Sequence, residues 1–206
     1  MATLNELASA QSQGTQVTAS QQKMMDYCHT HSDAKSRYCA IQVKLHIHSD
    51  ASYLSASKAR GRVGGHFFLS KNFNPTSQTK HNEAILVVAA ILKDVLASAA
   101  QEELGGLLIN YKEGEVLRTT LEEMGHPQGP IPMQTDNSTA SGIMNENVKQ
   151  RRSKATDMHF YWVRDRCKQK HFLIYWAPGK YNMGDYHTKF HSPSDHKKQR
   201  PLYVHT

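Results

Sequence analysis

The sequence predicts a mixed α/β domain, a five-stranded sheet flanked by helices. Three observations predict it: two alternating polar and apolar stretches that each end on an aspartate (Val43 to Asp50, Ile131 to Asp136), an unbroken apolar run (Ala84 to Leu92), and helix-opening signals at Thr18 and Ser98.

Residues 1–40 are polar and rich in Gln, Ser and Thr. Leu4 to Gln13 and Ala19 to His31 read as helices, the second opened by a capping box from Thr18 to Gln21. Neither has an apolar face broad enough for a core, so Met24, Met25 and Tyr27 are expected to stand exposed, orphaned from a former partner. From there Val43, Leu45 and Ile47 alternate with Lys44, His46, His48 and Asp50, a strand with Asp50 at its end. After the charged turn Ser57 to Arg62, Val63 to Ser70 is a second strand. Ala84 to Leu92 is a third, expected to be buried on both faces, and the three form an antiparallel meander. Ser98 to Gln101 is a capping box for a helix through Tyr111, and Val116 to Met124 reads as a separate helix stopped by Gly125-His-Pro127. Ile131 to Asp136 is the fourth strand. Ser138 to Glu146 and Lys154 to Lys170 read as helices, Phe172 to Trp176 as the fifth strand, and Met183 to Phe190 as a last helix after the Pro178-Gly179 turn.

Over 206 residues, 25 Lys and Arg outnumber 18 Asp and Glu, a net charge of +7 that favours a polyanionic partner. Residues 149–170 hold eight basic side chains against two acidic ones, so this one stretch carries +6. The longest apolar run falls well short of the roughly 18 residues a membrane span needs. The N-terminus has neither a basic nor an apolar leader region, and three scattered cysteines suit a reducing compartment, so an intracellular protein of cytoplasm or nucleus, not secreted, is expected.

Strand-end aspartates sit where open α/β sheets place their sites, and an added acid from a neighbouring helix would supply hard oxygen ligands for a divalent ion. The local words are more specific. His48-Ser-Asp50-Ala-Ser-Tyr-Leu, Gly64-Gly-His-Phe-Phe-Leu-Ser70, Ser98-Ala-Ala-Gln-Glu-Glu103-Leu-Gly, Gln134-Thr-Asp136-Asn-Ser-Thr-Ala and Asp185-Tyr-His-Thr-Lys189 resemble, in order, the ribonuclease H domain of copia-type retrotransposon polyproteins. The resemblance covers about residues 41 to 192. Residues 1–40 look like the segment that joins reverse transcriptase to ribonuclease H in such an element, and 193–206 is left as a C-terminal tail. No Tyr-x-Asp-Asp polymerase motif occurs.

The resemblance implies a ribonuclease H-like fold and carries the metal-binding, catalytic carboxylates onto Asp50, Glu103, Asp136 and Asp185. The choice between adjacent glutamates also follows from the helix face. Glu103 lies about 80° from the centre of the apolar face formed by Ala100, Leu104, Leu107, Leu108 and Tyr111, and Glu102 about 180° away, so Glu102 is expected to point to solvent. The implied chemistry is two-metal hydrolysis of the RNA strand of an RNA:DNA hybrid, with two magnesium or manganese ions. Asn137 and Ser138 would touch the cut strand, and Arg151, Arg152 and Lys154 would hold phosphates. A reverse transcriptase domain supplied separately is a possible second partner.

The loop Gly179 to Gly184 carries no histidine where cellular ribonucleases H have one, and His187 is expected to be a surface residue. The spacing of Cys28, His29, His31 and Cys39 is too irregular for a zinc site. Trp162 and Trp176 are expected in the core. A noncatalytic nucleic-acid-binding remnant of the same domain is the alternative function. The loss of a polymerase favours it, and the survival of all four carboxylates opposes it.

Overall fold

A computed structural model describes residues 18–39, 41–75, 79, 81–93, 96, 98–145 and 154–205, without the side chains at 18, 20, 57 and 154–160. The predicted helix at Leu4 to Gln13 lies outside the described residues. Helix α1 (Thr18–Thr30) precedes strands β1 (Lys44–Ala56), β2 (Arg60–Ser70) and β3 (Ala84–Ile91); helix α2 (Ala99–Glu123) leads to β4 (Ile131–Thr135). Helices α3 (Ser138–Met144) and α4 (Lys154–Lys168) precede β5 (Phe172–Trp176), and the short helices α5 (Asp185–Thr188) and α6 (Pro193–Gln199) follow. The sheet order is β3-β2-β1-β4-β5. The first three strands are antiparallel, and β1, β4 and β5 run parallel. The five-stranded mixed sheet flanked by helices is the architecture that the sequence predicts.

The α2 face of the sheet is apolar. Leu45, Ile47, Phe67, Met133 and Ile174 pack against Leu104, Leu107, Leu108 and Tyr111 of α2, with Val163 of α4 closing the layer. The two helices expected at 98–111 and 116–124 are one. Gly114, which lies between the two expected helices, is a contact point: a Cβ there would lie 2.6 Å from Ile47 Cδ1 and 3.0 Å from Phe172 Cε1. Gly114→Ala should therefore destabilise the fold by about 1–3 kcal/mol through overpacking, although alanine favours a helix interior by roughly 1 kcal/mol. Thermal unfolding of the two proteins checks this, and a more stable variant would show that the helix seats farther from the sheet.

Strand β1 runs six residues past Asp50, because β2 continues to pair with it through the hairpin. Strand β3 is half-buried rather than covered on both faces, since it lies at the sheet edge. The helix expected at Met183 to Phe190 shrinks to Asp185–Thr188, preceded by a 3-10 turn at Gly179–Tyr181. Trp176 is 51% exposed at the end of β5, not in the core; Trp162 is 38% exposed and packs edge-on against Tyr111.

The second sheet face is a layer of aromatic and histidine rings. His46, His48 and His66 are buried, and each lies within 5.7 Å, centroid to centroid, of the Phe68 ring. His187 is buried too, stacked on His66, because β2 and the C-terminal segment enclose it. Tyr203 stacks on Tyr186 at 4.4 Å and its hydroxyl donates to Met183 O at 3.0 Å. Lys35 and His205 exchange backbone hydrogen bonds of 2.7 and 2.8 Å.

Burial lowers the His66 pKa to about 4. An unfolded His66 takes up a proton near pH 6.5 that the fold refuses, so its contribution is intact above that pH and is lost as pH falls toward 4. Between pH 7 and pH 5 the parent should lose about 2 kcal/mol more stability than His66→Asn. Urea melts at the two pH values check the difference, which vanishes if His66 titrates normally.

Candidate metal centre

Parallel pairing sets the site. His48 lies opposite Gln134, so Asp50 and Asp136, each two residues farther on, arrive side by side. Asp136 lies just past the end of β4, where the chain turns into α3. Glu103 comes from the first turns of α2, whose N-terminus is fixed by Ser98 Oγ accepting from the Gln101 amide. Asn110, deeper in the same helix, donates to Ser49 Oγ and to Gly64 O, both at 2.9 Å, and so ties α2 to β1 and β2.

Asp50, Glu103 and Asp136 each offer an oxygen within 4.8 Å of the others, and no other such group of three His, Cys, Asp or Glu side chains occurs among the described residues. Asp50 and Glu103 are buried and Asp136 is half-buried. Glu103 accepts from the Ala51 amide at 3.1 Å and from Thr135 Oγ1 at 3.2 Å. Asp50 accepts from Thr188 Oγ1 at 2.6 Å.

Burial pushes the Asp50 carboxyl up to about 6 against the Thr188 hydrogen bond, and the Asp185 and Asp136 charges add to the rise. Burial first, and the Asp50 charge second, push Glu103 up to about 8. Two adjacent acids thus resist ionising together. An all-oxygen donor set lacking positive charge suits a hard divalent cation such as magnesium or manganese.

Asp185 is not one of the three, although its charge acts on Asp50. It opens α5, is half-buried, and its Oδ1 is ion-paired with Lys189. The loop before it is pinned to β1: Asn182 donates to Ser49 O at 2.7 Å, and the Met183 amide donates to His48 Nδ1 at 3.1 Å. Gly64 and Gly184 meet backbone to backbone, a contact any Cβ at Gly64 would block.

Glu102 does not point to solvent. It is fully buried, because the backbone of Gly61 in the β1–β2 hairpin lies across it with no side chain between. Gly106 and Asn110, one and two turns on from Glu102, also meet β1 and β2, so the stripe of the helix that faces the strands includes small and polar positions that apolar residues alone do not mark. Asn137 caps α3 by accepting from the Ala140 amide at 2.9 Å, and Ser138 is exposed beside it. Arg151 and Arg152 lie outside the described residues. Lys154 opens α4. Thr135 and Thr188, which orient the carboxylates, carry no separate signal in the sequence, although each lies inside one of the family-like words.

No family model matches the chain. Among solved structures it is similar to the N-terminal RNase H domain of a Mycobacterium tuberculosis protein, solved fused to maltose-binding protein, at 14% identity over 70% of this chain and 87% of that one, TM-score 0.46. It is similar to a compost-derived RNase H1 in complex with an RNA/DNA hybrid, at 11% identity over 69% of this chain and 91% of that one, TM-score 0.47. A third is the prototype foamy virus protease-reverse transcriptase, at 12% identity over 74% of this chain and 20% of that one, TM-score 0.40. These structural neighbours are RNase H domains or a viral protein fused to reverse transcriptase. No helix among the described residues is long and apolar enough to cross a membrane.

Proposed function

We propose that the chain is an endoribonuclease that hydrolyses the RNA strand of RNA:DNA hybrids, from a copia-type retrotransposon. The observation that carries this is the convergence of Asp50, Glu103 and Asp136 from three different elements. Residues 1–40 would form the connection to a reverse transcriptase, 41–192 the nuclease domain and 193–206 its tail.

Asp50, Glu103, Asp136 and Asp185 would hold two magnesium or manganese ions. Ions so held supply an activated water on one side of the phosphodiester and charge stabilisation of the leaving oxygen on the other. The protein's own part is to keep the ligands in place. Thr135 and the Ala51 amide fix both oxygens of Glu103, and Thr188 fixes one oxygen of Asp50. Asn137 and Ser138, at the start of α3 beside Asp136, are suited to touch the ribose side of the cut strand, which selects RNA through its 2′-hydroxyls.

A labelled RNA:DNA hybrid incubated with the chain and magnesium should be cut in its RNA strand. Binding without cutting would support the noncatalytic remnant instead. Hybrid binding should also weaken steeply with salt as counterions are released. Replacing Arg151, Arg152 and Lys154 together with alanine should reduce the slope of log affinity against log salt by roughly one for each phosphate no longer neutralised. An unchanged slope from fluorescence anisotropy titrations would move the binding surface elsewhere.

A further inference from the structure

The fourth carboxylate differs from the other three in having a cation of its own. Lys189 Nζ pairs with Asp185 Oδ1, and the negative charges of Asp50 and Asp136 also reach it. Asp185 and Lys189 stand four residues apart across the short helix α5. Helix α5 ends at Thr188, and Lys189 leaves it in an extended conformation (φ −121°, ψ 155°). Thr188 itself is fully buried, with its hydroxyl on Asp50 Oδ2. The lysine is thereby anchored at its root, while its side chain stays 51% exposed and Asp185 27% exposed. The ammonium is tethered but able to leave.

We propose that Lys189 is a built-in counter-cation of Asp185, so that a first divalent ion binds Asp50, Glu103 and Asp136 freely and a second ion binds only by displacing this ammonium. The inference rests on the nuclease reading above and concerns the order in which the site fills. An incoming ion near Asp185 must break the Lys189 pair and also tolerate a like charge at close range, both of which weaken it. Among the described residues no such competitor pairs with Asp50 or Glu103, whose oxygens accept from neutral groups. Exposed lysine–carboxylate pairs are individually weak, so the penalty should be modest, about tenfold in affinity rather than a block.

Manganese binding followed by electron paramagnetic resonance, which counts free ion without any turnover, tests this on the full chain. The parent should bind one ion tightly and a second more weakly. Lys189→Met should tighten the second ion about tenfold and the first, which feels Lys189 only through its charge near Asp50 and Asp136, by much less. Lys189→Arg should weaken the second ion below the parent, because a guanidinium forks onto a carboxylate more firmly than an ammonium. The opposed directions keep the test decisive if either variant alone folds poorly, and circular dichroism melts report that. Tight first-ion binding with the second ion unmoved by both substitutions overturns the role of Lys189 alone. If the parent binds no manganese, or Asp136→Asn binds it equally well, the metal-centre reading and this inference fall together.

Discussion

Millimolar magnesium should raise the melting temperature of the parent chain, and Asp136→Asn should remove most of that rise together with the cleavage of an RNA:DNA hybrid. The ligands are gathered only in the folded state, so an ion binds the native protein and not the unfolded one. At a hundredfold excess over its dissociation constant this linkage contributes about 2.7 kcal/mol. For a chain of this size that is a shift of roughly 5–10 °C. Asp136 offers one of three oxygens within 4.8 Å of one another, and an amide there supplies neither the charge nor two equivalent acceptors. Loss of a catalytic ion's charge stabilisation should cost about 4 kcal/mol of barrier, near a thousandfold in rate. Differential scanning fluorimetry with and without magnesium, beside a gel assay on labelled hybrid, reads both. A magnesium shift of equal size in Asp136→Asn would remove Asp136 from the site.

Glu103→Gln should make the metal-free protein more stable, by an amount that grows with pH. Burial and the neighbouring Asp50 charge hold the Glu103 carboxyl at about 8 in the fold, against an ordinary value of 4.5. Below about pH 4.5 both states are protonated and nothing is lost. Between 4.5 and 8 the folded protein keeps a proton that the unfolded chain releases, so stability falls as pH rises, and above 8 the loss is complete. Glutamine has no such proton to lose. At pH 7 the variant should therefore gain about 3 kcal/mol over the parent, with little gain near pH 4.5. The amide can still accept from Ala51 and donate to Thr135, so the local packing survives. Urea denaturation at pH 5, 7 and 8.5 in chelator checks this, and a pH-independent difference would mean that Glu103 ionises normally. The effect runs opposite to that of His66, whose lowered pKa costs stability as pH falls.

The sequence by itself determined the strands and most helices, because their signals are local. Alternation along Val43 to Asp50 and Ile131 to Asp136 follows from side chains pointing to opposite faces, and Phe172 to Trp176 is a strand with the expected ends. The family words marked Asp50, Glu103 and Asp136, and the fold gathers these three. Only the tertiary structure decided what lies across from each residue. Val116 looks like the start of a separate helix although α2 runs on through Gly114, which packs on Ile47, and Glu102 looks solvated until the Gly61 hairpin covers it. His187 looks like a surface residue until Tyr203 and His66 enclose it. The same holds for Asp185, marked with the other carboxylates by sequence but paired in the fold with Lys189. Propensity and periodicity act over a few neighbouring residues, whereas burial and charge pairing are set by chain segments far apart in sequence, and those fix the chemistry of the site.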